Sequence, residues 1–145
     1  MNDLKYIRIL SKDDRDIPVL TKILKSPEIS RFLSIGDNYF HYVTNTENVY
    51  FYKAYEDDTL IGSVHLEKSG ALLYMSILVF PEFQRKGFGA KILEDVKNDF
   101  FDLGYENIGI SIDENNYASV KLFENAGFSF VSKEDELINY IYKKQ

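Results

Sequence analysis

The segment Gln84-Arg85-Lys86-Gly87-Phe88-Gly89-Ala90 holds the residue types of this chain best suited to chemistry on a ligand. It follows the apolar run Ile77-Leu78-Val79 and precedes apolar residues at three- and four-residue spacing, so it is a turn from a strand into a helix. The start of a helix presents N–H groups without intrahelical partners and a partial positive charge. Glycines let a ligand approach the backbone, and Arg85 and Lys86 add full charges, so the turn can hold a diphosphate. A dinucleotide fingerprint would need a third glycine where Ile92 stands, and a P-loop needs Gly-Lys followed by Ser or Thr; neither is present. A tight turn whose glycines serve geometry alone fits the same residues, so the surrounding elements must discriminate.

Those elements follow from periodicity. Tyr6 to Leu10 reads as a strand, and Ser11 to Asp16 leads into a helix with Pro18 in its first turn and Val19, Leu20, Ile23 and Leu24 at helical spacing. Ser26-Pro27 ends it before a short second helix around Ile29 to Leu33, and Gly36-Asp37-Asn38 breaks the pattern. Val49 to Tyr55, Leu60 to Leu66 and Leu72 to Val79 are β-type runs spaced as an antiparallel meander. Phe88, Ile92, Val96, Phe100 and Leu103 predict a helix of about four turns, capped by Gly104. Ile108 to Ile112 alternates as a strand, Asn116 to Ala126-Gly127 is a helix, and Phe128 to Val131 and Leu137 to Tyr142 could pair across Lys133 to Glu136. The order βααβββαβαββ is an α+β plan with a mixed sheet flanked by helices, and the length suits one domain over 1–145.

Composition narrows the function. The 145 residues include no cysteine, which excludes disulfides, thiolate metal sites and a thiol nucleophile. A formal charge of −6 opposes non-specific attraction to nucleic acid and to anionic membranes. No apolar run approaches the roughly 20 residues that span a bilayer, and Met1 to Lys5 lacks the apolar stretch of a secretory signal, so a cytoplasmic protein is expected.

Two motifs then give a resemblance. Val79, Pro81, Gln84, Gly87 and Gly89 match the Val-x-Pro strand end and Gln/Arg-x-x-Gly-x-Gly/Ala turn of the GNAT superfamily of N-acetyltransferases. Downstream, Asn116 to Phe128 resembles the family's Asn-x-x-Ala/Ser-x-x-x-Tyr-x-x-x-Gly-Phe helix, with Phe123 in place of the tyrosine. The resemblance implies a sheet that splays after Leu72 to Val79, with strand Ile108 to Ile112 parallel beside it and the intervening helix as the crossover. It implies acetyl-CoA as cosubstrate and no metal. The pantetheine arm would lie against backbone of Leu78 and Val79, the diphosphate on Gly87, Phe88, Gly89 and Ala90 with Gln84, Arg85 and Lys86 beside it, and Asn116 and Phe123 along the arm. The acceptor would be a primary amine of a small molecule or a protein, attacking the thioester directly with a backbone N–H such as that of Val79 on the oxyanion.

Aminolysis needs a neutral amine, and relatives use a carboxylate in the central strands; Leu72 to Leu78 carries none. The substitutes are His65 and Glu67, which share a face at spacing two, and Tyr74. Each also has a plain structural reading: His65 as a half-buried strand residue, Glu67 as a turn-side carboxylate. His41 fits a solvated loop as well as a substrate-side one, and Tyr39, Phe40 and Tyr42 either line an acceptor pocket or cap the core. A non-catalytic acyl-CoA-binding module is the alternative function, and a homodimer is compatible with the sequence.

Overall fold

The computed structural model describes residues 3–144; Met1 and Asn2, part of the N-terminal stretch read as lacking a secretory signal, and Gln145 lie outside the described residues. The chain runs β1 (Lys5–Arg8), α1 (Ile17–Leu24), α2 (Pro27–Ser30), α3 (Tyr39–Asn45), β2 (Val49–Glu56), β3 (Thr59–Ser69), β4 (Leu72–Val79), a 3-10 turn (Pro81–Phe83), α4 (Phe88–Lys97), β5 (Asn107–Asp113), α5 (Tyr117–Asn125), β6 (Ser129–Glu134) and β7 (Leu137–Lys143). The strands form one mixed sheet in the order β1-β2-β3-β4-β5-β7-β6. Every neighbouring pair is antiparallel except β4 and β5, which run parallel with α4 in the crossover between them.

Alternation along the strands divides the core into two layers. On one face, Leu20 and Leu24 of α1 and Phe40 and Val43 of α3 pack with Val49, Phe51 and Leu78. On the other, Ile92, Leu93 and Val96 of α4 and Phe123 of α5 pack with Val64, Leu66, Leu73, Met75, Ile108 and Ile110. Among the described residues no helix is long and apolar enough to cross a membrane.

Three expectations about elements change. A third helix, α3, occupies the stretch after Gly36-Asp37-Asn38, because Phe40 and Val43 bury themselves in the first layer at helical spacing. The crossover helix ends at Lys97 rather than Leu103: Asp99 and Asp102 take positive φ, and the Asp99 carboxylate accepts from the N–H groups of Leu103 and Gly104, closing a loop where the apolar spacing suggested more helix. β3 runs on through Glu67 to Ser69, so Glu67 stands in a paired strand, opposite Tyr74.

The entry to α1 is held by a buried ion cluster. Lys53 of β2, 4% exposed, donates to Asp14 at 3.1 Å and to Asp16 at 2.7 Å, and the Tyr55 hydroxyl donates to Asp16 at 3.0 Å. The hydrogen bond from Lys53 holds the Asp16 carboxyl below its ordinary value. Burial opposes the Lys53 ammonium, but its bonds to Asp16 and Asp14 outweigh that and raise it. Because the folded-state value of Asp16 is depressed, its contribution is present above the ordinary carboxylate range and is lost as the pH falls through the folded value. Acid unfolding checks this: Asp16→Asn should lower Tm near neutral pH and flatten the decline of Tm below about pH 4. An acid decline as steep as the parent's would assign it to other groups.

Gly62 is fixed by a different constraint. A bulge in β3 beside Ala54 and Tyr55 brings Gly62 so close to β4 that a Cβ there would lie 2.0 Å from the Leu78 carbonyl oxygen. Backbone cannot give way as a flexible side chain can, so Gly62→Ala should cost about 1–3 kcal/mol, measured by denaturant unfolding. A neutral substitution would mean that the end of β4 is free to move.

Candidate active site

The β4–β5 ladder pairs Leu72 with Asn107, Leu73 with Ile108 and Tyr74 with Gly109, and then stops, although β4 continues to Val79 and β5 to Asp113. Each strand keeps its other partner throughout, β4 with β3 and β5 with β7, so the sheet opens between them. The register fixes which backbone groups face the opening. The Phe80 N–H donates to the Ile61 carbonyl in β3, while the Ala71 carbonyl accepts from Glu106 and Asn107 on the β5 side. By alternation, Leu78 and Ser76 turn their N–H and C=O toward β3, and Ile77 and Val79 turn theirs toward the gap. Leu78, expected beside Val79 as a backbone partner for an arm, therefore has its groups in the β3 ladder, and Ile77 takes that place. Gln84 Nε2 donates to the Val79 carbonyl at 3.1 Å, leaving the Val79 N–H free.

At the end of β4 the 3-10 turn leads to an exposed segment, Gln84 to Gly87, and into α4. Arg85 at φ 64 and Gly87 at φ 88 both take the left-handed region, which wraps the backbone tightly before the helix. No described residue accepts from the N–H groups of Arg85, Lys86 or Gly87, and those of Phe88, Gly89 and Ala90 open α4, where no earlier turn supplies carbonyls. Lys86 Nζ lies 5.7 Å over the Phe83 ring. An anion of diphosphate size meets a row of free donors here, two exposed cations and a helix dipole.

On the face carrying α1 to α3, a cavity of about 220 Å³ opens beside β4. His65, Glu67, Tyr74, Met75 and Ser76 form one side, and Leu33, Ser34, Ile35 and Tyr39 the other. The three side chains proposed as catalytic groups thus meet in one space. His65 Nε2 bonds Glu67 Oε1 at 2.8 Å, the Tyr42 hydroxyl donates to the same oxygen at 2.7 Å, and the Tyr39 hydroxyl bonds His65 Nδ1. A carboxylate only accepts, so Nε2 carries the hydrogen, and in the neutral ring Nδ1 accepts from Tyr39. Burial, reinforced by the charge of Glu67, raises the Tyr39 hydroxyl and keeps it a donor; the hydrogen bond to Glu67 raises Tyr42. Glu67 Oε2 has no partner among the described residues, and the side chain is 36% exposed. Tyr74 lays its ring over Gly109, where a Cβ would sit 3.3 Å from it, and its hydroxyl bonds no described residue.

Other residues divide. Of the three aromatic candidates, Tyr39 lines the cavity, Tyr42 reaches Glu67, and Phe40 is buried in the core. His41 is on the exposed face of α3, bonded to Asn45 and apart from the cavity. The Asn116 side chain caps α5 by accepting from the Ser119 N–H at 3.4 Å. Phe123 is 6% exposed and packs edge-on against Phe128, while Tyr117 of the same helix is 75% exposed. Leu33, Ile35, Ser76, Gly62 and Gly109 escaped the sequence reading; only the bracketing of Gly109 by Ile108 and Ile110 hinted at a small residue under a neighbouring ring.

A mixed sheet that opens between two parallel strands, with a left-handed glycine and a helix start at the mouth, is the GNAT class of fold. The sequence profile of the Acetyltransferase (GNAT) family matches residues 17–128, and the chain belongs to that family. No curated protein sequence matches it. Among solved structures, a domain from Methanocaldococcus jannaschii is similar with a TM-score of 0.80 at 24% identity, covering 97% of this chain and 99% of that one. Spermidine N-acetyltransferase from Vibrio cholerae, in complex with CoA and spermine, gives 0.81 at 14% identity over 98% of this chain and 96% of that one. The Campylobacter jejuni N-acetyltransferase PseH, in complex with acetyl coenzyme A, gives 0.75 at 11% identity over 98% and 99%. At these identities the likeness is one of fold.

The two glycines of the turn should respond differently. Gly87 holds φ 88, so Gly87→Ala should cost about 1–2 kcal/mol whatever the space around it. A Cβ at Gly89 would meet only Leu122 and Val79 side chains at 3.4 and 3.9 Å, so Gly89→Ala should be neutral or gain up to about 1 kcal/mol from helix propensity. Thermal and denaturant unfolding of the two variants measures the contrast, and equal costs would contradict it.

Proposed function

We propose that this chain transfers an acetyl group from acetyl-CoA to a primary amine, of a small molecule or of a protein, by direct aminolysis of the thioester. The observation that carries the reading is the free β4 edge: its unpaired Ile77 and Val79 N–H groups run from the donor-rich turn before α4 toward the cavity holding His65, Glu67 and Tyr74. Acetyl-CoA fits that layout as a substrate. Gly87 to Ala90, with Arg85 and Lys86, would hold the diphosphate, and the β4 edge would hold the pantetheine amides by strand-like hydrogen bonds.

The amine enters on the opposite side, through the cavity. An unperturbed alkyl ammonium has a pKa near 10.4, so it must lose a proton before its nitrogen attacks. Glu67 is the acceptor this reading assigns, because Oε2 is open while His65 and Tyr42 hold Oε1 in place. The nitrogen bonds to the thioester carbonyl carbon, the C–S bond breaks, and sulfur leaves as the thiolate of CoA, which takes up the second proton the nitrogen sheds in becoming an amide, while the proton on Glu67 passes to solvent. With a thiol reference near 8.5, that thiolate is a tolerable leaving group near neutral pH, which suits a helix carrying Phe123 in place of a phenol. The N–H of Ile77, the first edge donor past the end of the ladder that the register turns to the gap, faces the developing oxyanion. The net change is ammonium plus thioester to amide, thiol and one proton.

Calorimetry with acetyl-CoA and thiol release with an amine panel test the proposal together. Glu67→Gln should reduce kcat by about 10²-fold or more while leaving acetyl-CoA affinity within a factor of about two. Acetyl-CoA binding with no release above the uncatalysed rate for any amine would instead favour the non-catalytic acyl-CoA-binding module.

A further inference from the structure

We propose that the acceptor is a small primary amine with one positive charge, carried on a short apolar body that has no carboxylate and no second ammonium. This rests on the acetyl-transfer reading and narrows it to a substrate class.

The chemistry of the cavity wall makes the choice. Its one ionised group among the described residues is Glu67, whose Oε2 is open and whose Oε1 is held by Tyr42 and His65. That carboxylate can hold one ammonium and repels an anionic group. Among the described residues no lysine or arginine lines the cavity, so a substrate carboxylate would lose water without gaining a cationic partner and would face Glu67. Across the cavity from the sheet stand Leu33 and Ile35, and their side chains contact alkyl or aryl carbon well. A second ammonium a few carbons from the first would lie beside Leu33 and Ile35 with hydroxyls within the lining but no second carboxylate to pair its charge. At about 220 Å³ the space encloses a short body beside Glu67 and opens to solvent beyond it. The segment bearing Leu33 and Ile35 joins α2 to α3, so selectivity against a second charge belongs to that segment rather than to the sheet.

The experiment measures kcat/KM by thiol release, with product mass as a check, for 2-phenylethylamine, phenylalanine, butylamine and 1,4-diaminobutane. Phenylethylamine should exceed phenylalanine, and butylamine should exceed diaminobutane, each by at least about tenfold. Ile35→Asp, which adds a carboxylate to the apolar wall, should reverse or erase the second preference while acetyl-CoA affinity holds. A thermal melt checks that this half-buried loop position tolerates the change, and Leu33→Asp serves if it does not. Equal or better turnover of phenylalanine or diaminobutane, or turnover confined to a peptide or protein amine, would overturn the substrate class and leave acetyl transfer standing. Absence of both acetyl-CoA binding and thiol release with every acceptor would overturn acetyl transfer itself, and this proposal with it.

Discussion

The arrangement depends on a set of hydrogen bonds that β4 and β5 do not make. Inside a sheet, unpaired N–H and C=O groups are costly, and strands that start parallel usually stay paired. Here β4 is committed along its length to β3, and β5 along its length to β7, so the two antiparallel halves meet only from Leu72 to Tyr74. Beyond that, each half follows its own twist. The cost of the open edge is limited because Gln84 takes the Val79 carbonyl, but the Ile77 and Val79 N–H groups stay free in the gap. A backbone edge left open within a sheet can pair with an extended chain that carries amide groups.

The second constraint is local to β3. His65 and Glu67 face α3, and their hydrogen bonds to Tyr39 and Tyr42 tie that helix to the sheet at two points, three residues apart on one helical face. Phe40 and Val43 anchor α3 in the core from the adjacent face, so the phenols are positioned by packing as well as by hydrogen bonds. The helix that closes the cavity is therefore also the element that orients its carboxylate. Structural and functional readings of His65 do not compete here: the partners that satisfy its ring are the ones that fix its tautomer.

What sequence reasoning captured, and what it missed, follows from the range of each signal. The β-type run Leu72 to Val79 and the glycines at 87 and 89 before a helical repeat are local patterns, and the strand, the turn and the helix start lie where those patterns put them. The far end of α4 did not follow, because Phe100 and Leu103 keep helical spacing while Asp99 bends the chain away; Phe100 packs on Tyr6 and Phe101 instead. Helix α3 was hidden by a run of polar and aromatic residues whose purpose lies in contacts with β2 and β3. The cluster of His65, Glu67, Tyr39 and Tyr42 joins residues 25 and 26 positions apart, and no spacing rule within one element reaches that far. Its members were named as candidates by type; their meeting is tertiary.

Strand geometry connects the two ends of the site. Along β4, the side chains of Tyr74 and Ser76 point to the cavity face, and the residues between and beyond them, Met75, Ile77 and Val79, belong to the opposite face while their backbone lies on the β5 side. One strand thus lines the cavity with one set of residues and presents an open backbone edge with the alternate set, separated by half a pleat. A one-residue slip of β4 against β3 would exchange the two sets, putting core side chains in the cavity and turning the free N–H groups inward. Gly62 guards against that slip from one side, since only a glycine fits under the Leu78 carbonyl, and Gly109 from the other, since the Tyr74 ring needs the space over it. Two glycines far from the turn before α4 therefore hold the register that sets both the cavity wall and the open edge.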